Sequence, residues 1–202
     1  MTARPLAVLF DMDGVLVRSE EVWFRVVEEA GQHFRGSPVT REEFAPTFGQ
    51  GTAADVAVFK LGCTAAELDA FYLQRFPAHA DEIWVDPDAA QVLGELRTRG
   101  LQTGLVTNTV RKLADYILEA AGLTQLLDSV SCADMVAHAK PAPDLVRHGL
   151  TELGRSAEEA WLVGDSRYDR EAAHAAGVHF VGYGIDGDAR VASLRELLTL
   201  VA

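Results

Sequence analysis

The sequence predicts an α/β fold, a parallel sheet with helices on both faces and an all-helical insertion after the first strand. Three observations predict it. The apolar run Leu6-Ala7-Val8-Leu9-Phe10 reads as a short buried strand that stops at Asp11-Met12-Asp13-Gly14. Roughly 70 residues with helical periodicity follow. From Asp86 onward, strand and helix alternate to the end of the chain, the pattern of a parallel sheet wound with crossover helices.

Each element has a local reason. Residues 20–34 place Val22, Trp23, Val26, Val27 and Ala30 on one helical stripe. Thr40-Arg41-Glu42-Glu43 and Thr64-Ala65-Ala66-Glu67 carry the capping-box pattern that opens a helix, and Gly49-Gln50-Gly51 interrupts the helices between them. Asp86 reads as a helix cap with Pro87 at the first helical position and Gly100 past the end. Residues 101–107 then read as a strand, 110–121 as a helix stopped by Gly122, and 129–131 as a short strand. A helix over 143–153 stops at Gly154, and Ser156-Ala157-Glu158-Glu159 caps a turn ahead of the strand Trp161-Leu162-Val163. A helix over 167–176, a strand over 178–182 and a final helix opened by Ser193 complete the alternation. The expected division is a Rossmann-like core from residues 1–15 and 86–202, with residues 16–85 as a helical cap domain. Val15 to Arg18 and Trp84 to Pro87 are the two crossings between them, where hinges are expected.

Composition narrows the function. The chain has 202 residues, 49% hydrophobic and 24% charged, enough for one core domain and a smaller insertion. A formal charge of −12 argues against nucleic acid or an anionic membrane as partner. No stretch approaches the roughly 20 apolar residues of a membrane span, and the N-terminus runs into a five-residue strand rather than a signal-peptide core. The lone thiols Cys63 and Cys132 suit a reducing compartment. A cytoplasmic enzyme, monomer or homodimer, is expected.

In a parallel sheet all strand carboxyl ends lie on one edge, where open α/β sheets place their ligands. The first strand ends in Asp11 and Asp13, the second in Thr107-Asn108, and the strand through Val163 in Gly164-Asp165-Ser166 with Asp169 beyond. Lys140, one of only three lysines, precedes Pro141-Ala142-Pro143 between the last two. Each segment alone is also an ordinary turn, Asp-Gly above all. Together they suit a metal-bound phosphate. Mg²⁺ takes oxygen ligands in an octahedron, so Asp11 and Asp165 supply two positions and Asp169 a hold on metal-bound water. A carboxylate such as Asp11 can attack phosphorus without prior deprotonation. Asp13 then protonates the leaving oxygen and later deprotonates the incoming water. Thr107, Asn108 and Lys140 hold the equatorial oxygens.

These four segments, in this order, resemble the haloacid dehalogenase superfamily in its phosphatase and phosphomutase branch, closest to phosphoglycolate-phosphatase-like and β-phosphoglucomutase-like members. The residues that carry the resemblance are Asp11-Met12-Asp13-Gly14, Thr107-Asn108, Lys140-Pro141-Ala142-Pro143-Asp144, and Val163-Gly164-Asp165-Ser166 with Asp169. It implies Asp11 as nucleophile, Asp13 as acid and base, Thr107 and Lys140 as phosphate binders, and Mg²⁺ on Asp11, the Asp13 carbonyl and Asp165. Many relatives follow the first motif with Asp-Ser or Asp-Thr; here Arg18-Ser19-Glu20 stands there.

The expected activity is Mg²⁺-dependent hydrolysis of a small phosphorylated metabolite through an aspartyl phosphate. A phosphomutase shares every motif, and a non-catalytic phosphate-binding module is the third reading. Gln50, Arg18 and Arg41 are the specificity candidates, His138 is the histidine nearest the Lys140 motif, and Trp23, Trp161 and Trp84 are assigned to packing.

Overall fold

The computed structural model describes residues 4–202; Met1 to Ala3, read above as leading into the first strand, lie outside them. The chain opens with β1 (Ala7–Phe10) and β2 (Val17–Arg18), then α1 (Glu20–Arg35), α2 (Arg41–Phe44), α3 (Thr52–Val58), α4 (Ala65–Arg75) and β3 (Trp84–Val85). It continues through α5 (Ala89–Thr98), β4 (Gln102–Thr107), α6 (Arg111–Ala120), β5 (Ser129–Cys132), α7 (Asp144–Leu153), β6 (Ala160–Gly164), α8 (Arg167–Ala176), β7 (His179–Tyr183), β8 (Ala189–Val191) and α9 (Leu194–Leu200).

Among the described residues six strands form one sheet in the order β5-β4-β1-β6-β7-β8, with every pair parallel. The chain passes from β1 to β4 on one side and to β6 on the other, so a crevice opens at the carboxyl end of β1. The register sets Phe10 level with Leu105 and Val163. Asp11, Thr107 and Asp165 therefore leave the sheet within one or two residues of each other.

Alternation along β1 divides the core. Ala7 and Leu9 face Val106, Leu162 and Phe180 beneath α7 and α8. Val8 and Phe10 face Leu105, Val163 and Val181 beneath α5, α6 and α9. That second layer runs without a break through Met12, Val15 and Leu16 into Val22, Val26, Phe44 and Tyr72 of the inserted helices. The insertion is thus packed down on the strand edge by shared apolar burial.

The structure differs from the sequence reading in a few elements. Ala189–Val191 adds a sheet strand, β8, where no strand is expected; three residues are too short to carry an alternation signal. The two crossings pair with one another, Val17 with Val85 and Arg18 with Trp84, as a short antiparallel ribbon. Pro87 does not begin α5. The helix starts at Ala89, because Asp86 is tied elsewhere: its N–H donates to Leu16 O at 3.0 Å, and its carboxylate accepts the Asp88 N–H at 2.9 Å and the Tyr183 hydroxyl at 3.2 Å.

The inserted helices bury a carboxylate of their own. Asp55 on α3 accepts hydrogen bonds from Gln50 Nε2 at 2.8 Å and from the Tyr72 hydroxyl at 2.9 Å, and burial pushes its pKa up to about 7 against both. A carboxyl raised in the folded state holds its proton more tightly there than in the unfolded chain. Its contribution to stability is complete below the unfolded pKa and is lost as pH rises through about 7. Between about pH 5 and pH 7, urea unfolding of Asp55→Asn should therefore lose stability less steeply than the parent, by up to about 1.4 kcal/mol per pH unit. Equal slopes would place Asp55 in the ordinary carboxylate range.

Candidate active site

The site is built on one buried ammonium. Lys140 Nζ donates to Asp11 Oδ1 at 2.7 Å, Asp169 Oδ1 at 2.6 Å and the Val106 carbonyl at 2.9 Å. Burial pulls its pKa down, but the two carboxylates outweigh it and hold it above the ordinary lysine value. Asn108 holds the Lys140 backbone: its Oδ1 accepts the Lys140 N–H at 2.8 Å and its Nδ2 donates to Lys140 O at 2.9 Å. The other Nδ2 hydrogen goes to Gly49 O at 3.0 Å, fastening the cap loop to the core. Both amide hydrogens of Asn108 are therefore engaged within the protein. Thr107 is free to donate, since its hydroxyl oxygen accepts the Thr109 N–H at 3.1 Å and its own hydrogen remains.

Asp11, Asp165 and Asp169 each present a carboxylate oxygen within 4.8 Å of the others. Burial holds the Asp11 carboxyl well above its usual value, Asp169 raises it further and Lys140 opposes. Asp165 is pushed up to about 7 by burial and then by Asp169. Two glycines make this crowding possible. A Cβ on Gly14, at φ +90°, would lie 1.9 Å from Asp165 Oδ2, and one on Gly164 would lie 2.4 Å from the Asp169 Cβ. Asp169 also sits at the third position of α8, where its Oδ2 accepts the Ser166 N–H at 3.1 Å in a capping box. One carboxylate thus serves both the helix start and the lysine.

Asp13 lies beside this cluster in a different setting. Its Oδ1 accepts the Ser19 hydroxyl and, at 3.1 Å, Trp23 Nε1; its Oδ2 accepts the Thr109 hydroxyl at 3.2 Å. Burial raises its pKa, against the pull of those three donors. Ser19 stands at the N-cap of α1 yet makes no side-chain cap bond, because its hydroxyl is turned to Asp13.

A cavity between cap and core opens onto Asp11, Asp13, Thr107 and Asn108 on one side and onto Gln50, Asp55, Asp69 and Tyr72 on the other. Gly49-Gln50-Gly51 does reach the strand edge, and Gln50 lines the cavity. Arg41 and Arg18 do not line it. Arg41 pairs with Glu21 at 2.7 Å and lies over the Phe24 ring, and Arg18 lies over the Trp84 ring at 4.3 Å. His138 is exposed and faces Asp144 at 3.1 Å.

The sequence reading missed Ser19, Thr109, Asp55, Asp69 and Tyr72, and it gave Trp23 to packing alone. Trp23 does pack against Tyr72 and Phe76, while its indole N–H serves Asp13. Signals existed for two of these. Thr109 directly follows Thr107-Asn108, and Ser19 keeps the hydroxyl position of the Asp-Ser pattern although Arg18 replaces the acid.

The chain matches the family model described as haloacid dehalogenase-like hydrolase over residues 8–183. A phosphoglycolate phosphatase of Rhodospirillum rubrum is 33% identical, the match spanning 96% of this chain and 86% of that protein. The pyrophosphatase PpaX of Bacillus velezensis is 30% identical over 89% of this chain and 83% of its own length. Among solved structures, CbbY of Rhodobacter sphaeroides superposes with a TM-score of 0.84 at 26% identity, covering 96% of both chains. With a match over most of its length and an edge that gathers the motif acids around one lysine, the chain belongs to the haloacid dehalogenase-like hydrolases.

Proposed function

We propose that the protein is a Mg²⁺-dependent phosphatase acting on a small phosphorylated metabolite through an aspartyl phosphate on Asp11. The observation that carries this reading is the pairing of Asp11 with buried Lys140 at the mouth of the crevice, next to a second acid, Asp13, that does not touch the lysine and is kept above the ordinary carboxylate pKa. The two acids therefore have separate environments and suit separate roles.

The cluster fits a hard divalent cation. Three carboxylates lie together, two of them paired with one lysine, the ligand atoms are all oxygen, and Gly14 leaves the space in which Asp165 approaches. Asp11, Asp165 and the Asp13 backbone carbonyl would hold Mg²⁺, with Asp169 behind them. When bound, Mg²⁺ would supply a Lewis acid at the phosphoryl oxygens and offset the repulsion that, after burial, raises Asp11 and Asp165.

In the first half-reaction an Asp11 carboxylate oxygen forms a bond to phosphorus as the bond to the leaving oxygen breaks, and Asp13 gives that oxygen its proton. In the second, ionised Asp13 takes a proton from water as the water oxygen bonds to phosphorus. The Asp11–phosphorus bond then breaks, releasing inorganic phosphate and returning Asp13 to its protonated form. The Thr107 hydroxyl, with its hydrogen free, donates to a phosphoryl oxygen, and the Lys140 ammonium, whose three N–H groups go to Asp11, Asp169 and the Val106 carbonyl, contributes its positive charge behind Asp11. Asn108, with both amide hydrogens engaged, acts as a positioning residue for Lys140 and the cap loop.

A phosphomutase of this design passes the phosphoryl group to a phosphorylated sugar and so must hold a second phosphate. Among the described residues that line the cavity there is no Arg, Lys or His, and two cap carboxylates are present; this favours water as the acceptor.

Two outcomes test the reading. Asp11→Asn should lower phosphate release from 4-nitrophenyl phosphate by roughly 10³-fold or more while leaving the thermal midpoint within a few degrees; full turnover would remove Asp11 as nucleophile. Gly14→Ala, which displaces Asp165, should weaken Mg²⁺ binding measured by titration calorimetry by about tenfold or more. Unchanged affinity would place the metal away from Asp165.

A further inference from the structure

Hydrogen-bond accounting on the cap side of the cavity identifies a substrate class. Beside Trp23, whose indole N–H goes to Asp13, six cap residues with polar side chains line it: Thr47, Gln50, Thr52, Asp55, Asp69 and Tyr72. The Thr47 hydroxyl donates to Phe44 O at 2.7 Å and the Thr52 hydroxyl to Asp69 Oδ1 at 2.7 Å. The Tyr72 hydroxyl donates to Asp55 Oδ2 at 2.9 Å, and Gln50 Nε2 donates to Asp55 Oδ1 at 2.8 Å. All three hydroxyl hydrogens and one of the two Gln50 amide hydrogens are thus engaged within the cap. What the cap turns to the cavity is almost wholly acceptor: hydroxyl oxygens, the Gln50 carbonyl and the carboxylates of Asp55 and Asp69.

A ligand in such a space must donate. At pH 8, above the titration of Asp55, a carboxylate or second phosphate there would lose its hydration, find one amide N–H, and stand against acids of its own sign; such like-charge juxtaposition costs several kcal/mol. The remaining cap and rim surface, from Val27, Phe44, Phe48, Val110 and Leu113, suits a short carbon chain.

Resting on the phosphatase reading above, we infer that the substrate is the phosphomonoester of a short polyhydric or amino alcohol, whose hydroxyl or ammonium hydrogens meet the cap acceptors and whose alcohol part bears no anionic group. The protein thereby diverges from the relatives named for phosphoglycolate and pyrophosphate, whose named substrates carry a second anionic centre. The phosphoryl end meets Thr107 in front of the Lys140 charge, and the alcohol end meets Asp55, Asp69 and Gln50.

The test is phosphate release with Mg²⁺ from glycerol 1-phosphate, O-phosphoethanolamine, phosphoglycolate and pyrophosphate, with 4-nitrophenyl phosphate as an activity reference. The expected result is a kcat/KM for glycerol 1-phosphate or O-phosphoethanolamine at least about tenfold above both phosphoglycolate and pyrophosphate, a margin of about 1.4 kcal/mol. The first compound reports a hydroxyl-donating substrate and the second an ammonium-donating one. The double variant Asp55→Asn, Asp69→Asn should shrink the margin over phosphoglycolate several-fold, through KM rather than kcat. Preference for phosphoglycolate or pyrophosphate by the parent protein would overturn the substrate class and leave the phosphatase reading standing. Release from none of the five compounds would overturn both.

Discussion

The ion pairs of Lys140 with Asp11 and Asp169 are the constraint on which the rest of the site depends. One ammonium ties the end of β1, the start of α8 and the end of β4 to a single point. Such a buried cluster is poor evidence of stability, since desolvation of its charges offsets their attraction, but removing one member leaves a buried charge uncompensated at a cost of about 3–5 kcal/mol. Its effect is positional. Burial first, and then the surplus of acids over the one lysine, keep Asp11 and Asp165 raised, an imbalance that added positive charge would relieve.

Asp13 escapes that cluster because its partners come from elsewhere. Ser19 and Trp23 belong to the entry into the cap, and Thr109 to the loop after β4. Cap and core therefore meet on the carboxylate that the proposed chemistry uses for protons. The same two bodies meet again where Asn108 holds Gly49 and where the apolar layer continues from Met12 to Tyr72. Displacing the cap from this arrangement would wet Asp13, which brings its carboxyl pKa down toward the ordinary range, and would strip it of its indole donor, which acts in the opposite sense. Contacts from the inserted helices thereby bear on how tightly Asp13 holds a proton.

The core and the gathering of Asp11, Thr107, Lys140 and Asp165 at one edge were legible in the sequence for a topological reason. Strand carboxyl ends in a parallel sheet share an edge, so polar residues at several strand ends converge without any knowledge of side-chain contacts. The ribbon of β2 with β3 was not legible, because two residues carry no period. Nor was the shift of the α5 start to Ala89, where tertiary contacts of Asp86 outweigh a good local cap. The cap's contribution was hidden for a further reason. Asp55, Asp69 and Tyr72 lie on helices whose polar residues read as a solvated face, and only the folding of those helices over the edge turns them inward. Arg41 misled in the opposite sense: a cation in an acidic protein invites a role with anions, yet Glu21 and Phe24 hold it on the surface.

A chain of formal charge −12 that handles a phosphoryl group must confine its attraction to a small region. The long-range field repels an anion, so selectivity has to come from contacts made after entry, at separations well inside the roughly 8–10 Å over which salt screens exposed charge. The cavity divides those contacts by sign. At the strand edge a free hydroxyl and the charge of a buried lysine face the phosphoryl group; at the cap, engaged donors leave acceptors facing inward. A ligand with one anionic end satisfies both halves, while one with two satisfies only the first. The polarity of the cavity, rather than its size alone, then decides which of the many phosphomonoesters that fit the strand edge can be covered by the cap.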